Sequence, residues 1–249
     1  MGVIAALSAI MITVGQLKAG MVPVSFEYET IRQIGENLPH DVVVLHDDFA
    51  VIKKTQIDAA QKAISDRTNG EFGLQVISGI PVLRHLHPEF RKSGDEGSSN
   101  KTKYANVLDR SITLNGSKKS PWEAIKTLVQ TINAGEGRKL HLGLPTLALM
   151  VLPPKFTEPG IVTLPSGAMT ARKALCAILS QCPFPISYDY FNGVQPQNAG
   201  QPGPGLGLLS IDFYENYGHR RLPKPHDEAF VHKWAQELHE ANQIPPPKH

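Results

Sequence analysis

An internal repeat constrains the fold of this chain more than any other feature of its sequence. The segment ITLNGSKKSPWEAIKTLVQTI, which starts at Ile112, aligns without a gap over 21 positions with the segment that starts at Val162. The identical pairs include Thr113 with Thr163, and the apolar positions of the helical parts coincide. An ungapped match of apolar positions is typical of repeated supersecondary units. The alternative is a chance similarity between two ordinary strand–helix pairs.

Each copy predicts a short strand followed by a capped helix. The triplets ITL and VTL are β-branched and short, which favours strands. In the first copy Ser120 fits an N-cap, Pro121 the first helical position and Glu123 the third, which is a capping box. Thr170 caps the second copy in the same way. Apolar residues then recur with helical spacing: Pro121, Ala124, Ile125, Leu128, Val129 and Ile132, and then Ala171, Ala174, Leu175, Ile178, Leu179 and Cys182.

Strand-like segments follow each helix. Residues 138–144 and 146–152 follow the first, and residues 186–191 and 207–215 follow the second. Each copy therefore reads as strand–helix–strand–strand, and a sheet with helices on one face would cover the apolar stripes. A looser relative of the same unit, with a helix over 56–66, precedes the two copies.

The predicted fold class is α+β, with two to three small βαββ modules whose helices pack on one face of short sheets, plus a C-terminal helix over 227–241. The predicted segments are a signal-peptide-like stretch (1–20), an N-terminal α+β module (21–90), a linker (91–103), a βαββ module (104–160), a second βαββ module with the C-terminal helix (161–241), and a disordered tail (242–249).

Composition and charge narrow the class of protein. An apolar share of 41% with 19% charged residues suits a globular chain, and a formal charge of +2 is too small to predict binding to nucleic acid. The uncharged apolar run over 3–14 resembles the core of a signal peptide and is too short to span a bilayer. We therefore expect a periplasmic or secreted protein without a membrane span in the mature chain. No Lys or Arg precedes the run, so a buried first helix or strand stays open.

One short motif suggests a metal site. In LRHLHPEF, strand alternation puts His85, His87 and Glu89 on one face, as in histidine pairs that bind zinc or iron. The sequence indicates no further ligand in particular. A solvated polar strand end is the simpler explanation, because a chain with ten histidines readily contains one such pair by chance, and we expect no cofactor.

The two cysteines and two tyrosines complete the candidate residues. Cys176 and Cys182 are six positions apart, too far to pair on a continuous helix, so a disulfide requires the helix to unwind before Pro183. Otherwise Cys182 is a small buried residue. Tyr188 and Tyr190 alternate onto one face of an aromatic strand, where they could bind a partner or lie half-buried in the sheet.

The second copy resembles a known family. VTLPSGAMTARKALCAILSQCPFPISYDYF is similar to the short N-terminal domain of secretins and TonB-dependent receptors, and the copy from Ile112 matches less well but in the same places. The positions that carry the resemblance are Val162, Thr163, Leu164, Ala174, Leu175 and Leu179. It implies small periplasmic modules that contact neighbouring subunits or regulators and do no chemistry. The chain departs from this family after Glu215, where we expect neither a secretin ring nor an outer-membrane barrel, because such barrels need many strand-length segments.

The expected function is that of an exported, non-catalytic docking or scaffold protein of the cell envelope. Its partner would be another envelope protein, held by strand addition at a sheet edge beside 186–191. One alternative is a small metal-dependent hydrolase that uses His85 and His87. Another is a cell-wall or carbohydrate-binding module that uses the tyrosines.

Overall fold

The computed structural model describes ten parts of the chain. They are residues 20–27, 42–46, 49–86, 106–135, 139–143, 160–182, 186–194, 206–213, 236 and 239–242. The predicted signal-peptide core, the linker over 91–103 and the tail beyond Asn242 lie outside the described residues. Asn242 itself, which we expected in the tail, is helical.

The described residues form twelve strands, three full helices and a short helical segment over 239–242, so the predicted mixture of helices and strands is confirmed. The strands are β1 (Met21–Glu27), β2 (Val43–His46), β3 (Phe49–Lys53), β4 (Phe72–Ile77), β5 (Ile80–His85), β6 (Ser111–Leu114), β7 (Lys118–Lys119), β8 (Leu140–Gly143), β9 (Val162–Thr163), β10 (Gly167–Thr170), β11 (Ile186–Val194) and β12 (Leu206–Phe213). The helices are α1 (Ile57–Arg67), α2 (Pro121–Ala134) and α3 (Ala171–Leu179), and Val107–Asp109 forms a 3-10 turn.

Eight of the strands share one mixed sheet. Its order is β4–β5–β1–β11–β12–β8, and the β2–β3 hairpin pairs with the first half of β1. β1 runs parallel to both β5 and β11, whereas β11 and β12 are antiparallel. Strands that we assigned to separate short sheets therefore lie in one sheet, because β1 joins the N-terminal strands to β11.

Helices cover both faces of this sheet, whereas the sequence analysis placed them on one. Val24 and Phe26 of β1 share a buried cluster with Ala60 and Ile64 of α1. The intervening residues of β1 point to the opposite face, where α2 and α3 pack in a second buried cluster. Successive residues of the central strands therefore point into two different cores. The sequence analysis had expected helices, and hence a buried core, on only one face of each sheet.

The two segments that align in sequence pair with each other through their short strands. β6 pairs with β10 in the register Ile112↔Met169, and β7 pairs with β9 in the register Lys119↔Val162. Moving Ile112 forward by fifty positions gives Val162, and moving Met169 back by fifty gives Lys119. Each ladder is thus the image of the other under exchange of the two copies, as a local twofold axis requires. The apolar side chains of these ladders lie in the same core as α2 and α3.

The predicted helices form where the sequence placed them. The Ser120 hydroxyl accepts a hydrogen bond from the Glu123 amide at 3.2 Å, and the Thr170 hydroxyl accepts one from the Lys173 amide at 3.2 Å. The helix expected over 56–66 is α1. Of the C-terminal helix, Gln236 and residues 239–242 are described as helical. None of the helices in the described part is both long and apolar enough to cross a membrane.

The equivalent caps predict equivalent losses of stability. Ser120→Ala and Thr170→Ala each leave one helical amide without its acceptor, and each should lower the free energy of unfolding by about 1 kcal/mol. Urea denaturation measures both. Ser120→Asp and Thr170→Asp keep an acceptor and should stay near the parent. A loss at only one of the two positions would contradict the equivalence of the copies.

Candidate functional site

His85 of the suspected metal site is buried. His85 is 6% exposed, its Nε2 lies 3.0 Å from Glu71 Oε1, and its ring packs edge-on against Phe72. His87 and Glu89 lie outside the described residues. No group of three or more metal-ligating side chains occurs within the part of the chain that the structure describes.

Tyr188 and Tyr190 are buried, so the prediction that they contact a partner is wrong. Their exposed fractions are 0% and 1%. The Tyr188 hydroxyl donates to Glu27, and the Tyr190 hydroxyl accepts a hydrogen bond from the Val107 amide at 3.4 Å. A Cβ atom on Gly207 would lie 2.7 Å from the Tyr190 hydroxyl, so the glycine makes room for that ring. The two tyrosines do lie on one face of the strand, as predicted, but that face points into the core.

The possible disulfide is also wrong, since both cysteines are free. Cys176 lies within α3 and its sulfur is 4.0 Å from the Tyr188 hydroxyl, whereas the Cys182 sulfur is 3.8 Å from the Ile178 carbonyl. Helical backbone continues through Leu179, which keeps the two thiols apart. Burial raises the pKa of Cys176 to about 12 and that of Cys182 to about 11, so both are neutral thiols.

A buried ionic cluster occupies the position where the tyrosines were expected to meet a partner. Glu27, the last residue of β1, is 0% exposed, and Arg172 of α3 is 4% exposed. Arg172 donates Nε to Glu27 Oε1 at 2.6 Å and Nη2 to Oε2 at 2.7 Å. This two-pronged geometry is the strongest arrangement available to an arginine and a carboxylate.

Two further donors complete the coordination of Glu27. Tyr188 donates its hydroxyl to Oε1 at 2.6 Å, and Asn106 donates its amide to Oε2 at 2.9 Å. Asn106 also accepts a hydrogen bond from the Leu108 amide at 2.8 Å, which caps the 3-10 turn. Each oxygen of Glu27 therefore accepts two hydrogen bonds, which uses the acceptor capacity of the carboxylate.

The edge of the cluster reaches solvent through Asp109. Asp109 accepts a hydrogen bond from Arg172, and Arg84 of β5 lies 3.4 Å from the same oxygen. Burial raises the pKa of Asp109, but the hydrogen bond and charge of Arg172, helped by Arg84, outweigh it, and the net pKa is lowered. Asp109 therefore stays ionised near neutral pH.

The charges inside the cluster are fixed by their neighbours. Burial lowers the pKa of Arg172, yet the hydrogen bonds and charges of Glu27 and Asp109 raise it further, so the net pKa is above its usual range. Burial, reinforced by the charge of Glu27, raises the pKa of Tyr188 well above its usual value. The phenol therefore keeps its proton and remains a donor. With every oxygen of Glu27 occupied, the arrangement suits a structural joint rather than proton transfer.

Sequence reasoning missed this cluster, although one signal was present. Arg172 occupies the position of the second copy that corresponds to Trp122 of the first, which is 5% exposed. A charged residue where the other copy buries an aromatic ring indicates a buried charge that needs a partner. The glutamate in MVPVSFE is the matching signal, because it ends an otherwise uncharged strand.

The predicted docking edge beside 186–191 is closed. β11 lies between β1 and β12, with Tyr190 opposite both Glu27 and Leu209. The prediction was wrong because the N-terminal part supplies a strand at that place. Strand addition therefore requires a different edge.

The outer edge of β8 is closed by side-chain amides. The Leu140 amide donates to Asn133 Oδ1 at 2.7 Å, and Asn133 Nδ2 donates to the Leu140 carbonyl at 2.8 Å. Asn242 pairs with Leu142 in the same way. The Leu142 amide donates to Asn242 Oδ1 at 2.7 Å, and Asn242 Nδ2 donates to the Leu142 carbonyl at 3.0 Å. Each amide pairs with a backbone N–H and C=O as a neighbouring strand would.

The outer edge of β4 is different. The Leu86 amide donates to the Glu71 carbonyl, so the backbone groups of Gly73, Gln75 and Ile77 face β5 by alternation. Those of Phe72, Leu74 and Val76 face outward. The Phe72 amide donates to the Thr68 hydroxyl at 3.1 Å. The outward groups of Leu74 and Val76 meet no strand and no side chain within the described ranges.

Comparisons with known proteins identify no relative. No protein-family model, curated protein or solved structure matches the chain.

The buried pair predicts a characteristic pattern of stability. Arg172→Met leaves the Glu27 carboxylate buried without its main partner and should cost roughly 3–5 kcal/mol of unfolding free energy, measured in urea. Glu27→Met combined with Arg172→Met removes both charges and should cost less than Arg172→Met alone. The exposed neighbour Lys173→Met is the control and should cost under about 0.5 kcal/mol. Equal losses of unfolding free energy in Arg172→Met and Lys173→Met would contradict a stabilising role of the pair between Glu27 and Arg172.

Asp109 predicts a pH dependence. Because its folded-state pKa lies below its unfolded value, its contribution is present above about pH 4 and is lost as the pH falls through the folded pKa. Asp109→Asn should therefore be less stable than the parent at pH 6, and the difference should shrink on acidification. Denaturation curves between about pH 6 and pH 2.5 measure this. A difference in unfolding free energy between the parent and Asp109→Asn that does not change with pH would show that the Asp109 charge does not stabilise the fold.

Proposed function

We propose that this chain is an exported, non-catalytic docking or scaffold protein of the cell envelope, and that its partner adds a strand to the outer edge of β4. Export is supported by the apolar run over 3–14. The docking role is supported by the resemblance of the segment from Val162 to the short N-terminal domain of secretins and TonB-dependent receptors. The choice of site rests on the outward backbone groups of Leu74 and Val76, which meet no strand among the residues that the structure describes.

The β4 edge is preformed, which suits a docking strand. β4 and β5 form a tight hairpin whose turn residues, Ser78 and Gly79, have φ angles of 49° and 83°. Positive angles at both central positions match the natural twist of paired strands. A partner would therefore meet an ordered strand, and little conformational entropy would be lost on this side of the interface.

The side chains along β4 provide both support and contact. Leu74 is 1% exposed and belongs to the core beneath α1, so it anchors the strand. Val76 is 50% exposed, an unusual position for a β-branched apolar residue. An added strand would cover Val76 and pair with its amide and carbonyl, which is the usual form of recognition by strand addition.

The contrast with other edges supports the choice. β11 is interior, and the outward groups of β8 already pair with Asn133 and Asn242. Natural proteins close exposed sheet edges because open ones pair with other chains. Within the described residues the β4 edge meets no strand, whereas the β8 edge is closed, and a partner that pairs with β4 would explain this contrast.

Val76→Pro tests the docking site. The Val76 amide points away from β5, so proline removes a hydrogen-bond donor from the outer edge while the ladder to β5 stays intact. We expect capture of the partner from cell-envelope extract, quantified by mass spectrometry, to fall at least about tenfold, the loss expected for a blocked backbone pair. Thermal melting should change little.

Val76→Thr is the matched control, since it keeps the amide and the β-branched shape. It should capture the same partner as the parent chain. Unchanged capture by a folded Val76→Pro variant would overturn the β4 site. If the parent chain captures no protein above the level of an unrelated bait, the docking function itself fails.

Export has its own test. In a bacterial host, the proposal predicts recovery of the chain in the periplasmic or secreted fraction, with a mature N-terminus near residue 20. Fractionation followed by N-terminal sequencing measures both. Recovery of the intact chain only in the cytoplasm would contradict the envelope location and leave the β4 result to stand by itself.

A further inference from the structure

The outward backbone groups of β4 are fixed by its pairing with β5. Val76 stands opposite Pro81 in this register, and proline has no amide to donate. Val76 and Pro81 are therefore a non-hydrogen-bonded pair, and so are Leu74 and Leu83 two positions away. The amides and carbonyls of Leu74 and Val76 consequently point away from β5, where they meet no strand from the described ranges of the chain.

The sequence of this hairpin is uncharged. No charged residue occurs from Phe72 to Leu83, a range that spans all of β4, the turn and most of β5. Edge strands of natural proteins commonly carry charged side chains that discourage pairing with another chain. Like charges that stand opposite each other across two strands are destabilising, and two copies of β4 would meet without that repulsion. The lack of charge therefore permits β4 of one copy to lie beside β4 of another.

One antiparallel register uses the outward groups of both residues in both copies. In it, Leu74 of each copy stands opposite Val76 of the other, and Gln75 stands opposite its own copy on a twofold axis. Each Leu74–Val76 pair then exchanges N–H···O=C bonds in both directions. A register centred on Leu74 would instead place Val76 opposite Phe72, whose amide already donates to the Thr68 hydroxyl at 3.1 Å. The register centred on Gln75 therefore forms the more complete ladder.

The same register also matches the side chains. Leu74 and Val76 lie on one face of β4, where Leu74 packs beneath α1 and Val76 is 50% exposed. In the pair, Val76 of one copy lies directly across from Leu74 of the other, so the exposed side chain gains an apolar neighbour. On the opposite face the two Gln75 side chains meet, and each amide can donate to and accept from its copy. The strand is therefore complementary to itself on both faces.

We propose that the partner which adds a strand to β4 is a second copy of this chain. The two β4 strands pair antiparallel about a twofold axis at Gln75, and the eight-stranded sheets of the two copies become one continuous sheet. Twofold dimers are the commonest homo-oligomers, and their interface is the same patch on both subunits. This inference rests on the proposed use of β4 as the docking edge and names the partner at that edge.

Sedimentation velocity of the full chain over a range of concentrations tests the self-pairing. The parent should sediment as a reversible dimer. Val76→Pro removes an outward amide from each copy and should raise the dissociation constant of the dimer at least about tenfold. Val76→Thr keeps the amide and the β-branched shape, so it should dimerise like the parent. A parent chain that stays monomeric, or a folded Val76→Pro variant that dimerises like the parent, would overturn the proposal.

Cysteine cross-linking, read by non-reducing electrophoresis, tests the register. Cα atoms of a non-hydrogen-bonded antiparallel pair lie about 4.5 Å apart, within reach of a disulfide, so Gln75→Cys should form a covalent dimer on mild oxidation. Val76→Cys is the matched control, because the two copies of position 76 are diagonal neighbours about 7–8 Å apart and should cross-link poorly. The parent, with Cys176 and Cys182, gives the background. Cross-linking of Gln75→Cys that does not exceed that of Val76→Cys and the parent would contradict the axis at Gln75.

The outcomes for this inference and for the docking function can be told apart. If the parent is monomeric while capture of an envelope protein still depends on Val76, the partner at β4 is a different protein, and only the assignment of a second copy fails. If the parent dimerises, Val76→Pro weakens the dimer and Gln75→Cys cross-links, the second copy is established at β4 even where the extract yields no other protein.

Discussion

The ion pair between Glu27 and Arg172 is the interaction on which the arrangement of this protein depends. A carboxylate removed from water is costly unless hydrogen bonds replace its hydration. The four donors that Glu27 receives come from α3, from β11 and from the turn that Asn106 caps. Each of these elements is therefore held in place relative to β1. Because β1 is also the strand that joins the two halves of the sheet, the pair fixes how the N-terminal part meets the repeated part.

The same pair explains how two similar copies came to have different roles. Both helices begin with the same cap and bury the same stripe, but one buries Trp122 where the other buries Arg172. A buried aromatic ring is stabilised by apolar packing alone, whereas a buried guanidinium group needs a carboxylate to compensate its charge. The copy that contains Arg172 therefore binds β1 with its Glu27, and the other copy leaves the equivalent edge of β8 to be closed by side-chain amides. The two copies thus differ both in this side chain and in what lies at the outer edge of the strand that follows the helix.

Local features of the chain were predictable from sequence, and long-range ones were not. The caps at Ser120 and Thr170 and the apolar stripes depend on neighbours within one or two turns, which the sequence shows directly. Tyr188 was misjudged because a strand with alternating tyrosines looks the same whether that face meets solvent or a buried acid. The acid, Glu27, lies far away in the sequence, and only the pairing of β1 with β11 brings the two together. The role of Arg172 was hidden for the same reason, although its mismatch with Trp122 was visible.

Closure of sheet edges by amide side chains is a recurring device in this fold, and it differs physically from closure by a strand. Gln181 pairs with the amide and carbonyl of Thr163 on β9, as Asn133 and Asn242 do for Leu140 and Leu142 on β8. An amide side chain presents a donor and an acceptor side by side and so reproduces the backbone pairing at one residue. A strand is held along its whole length, and removing it exposes several groups at once. An edge closed by amide side chains is therefore protected against chance pairing with another chain, although no strand lies along it.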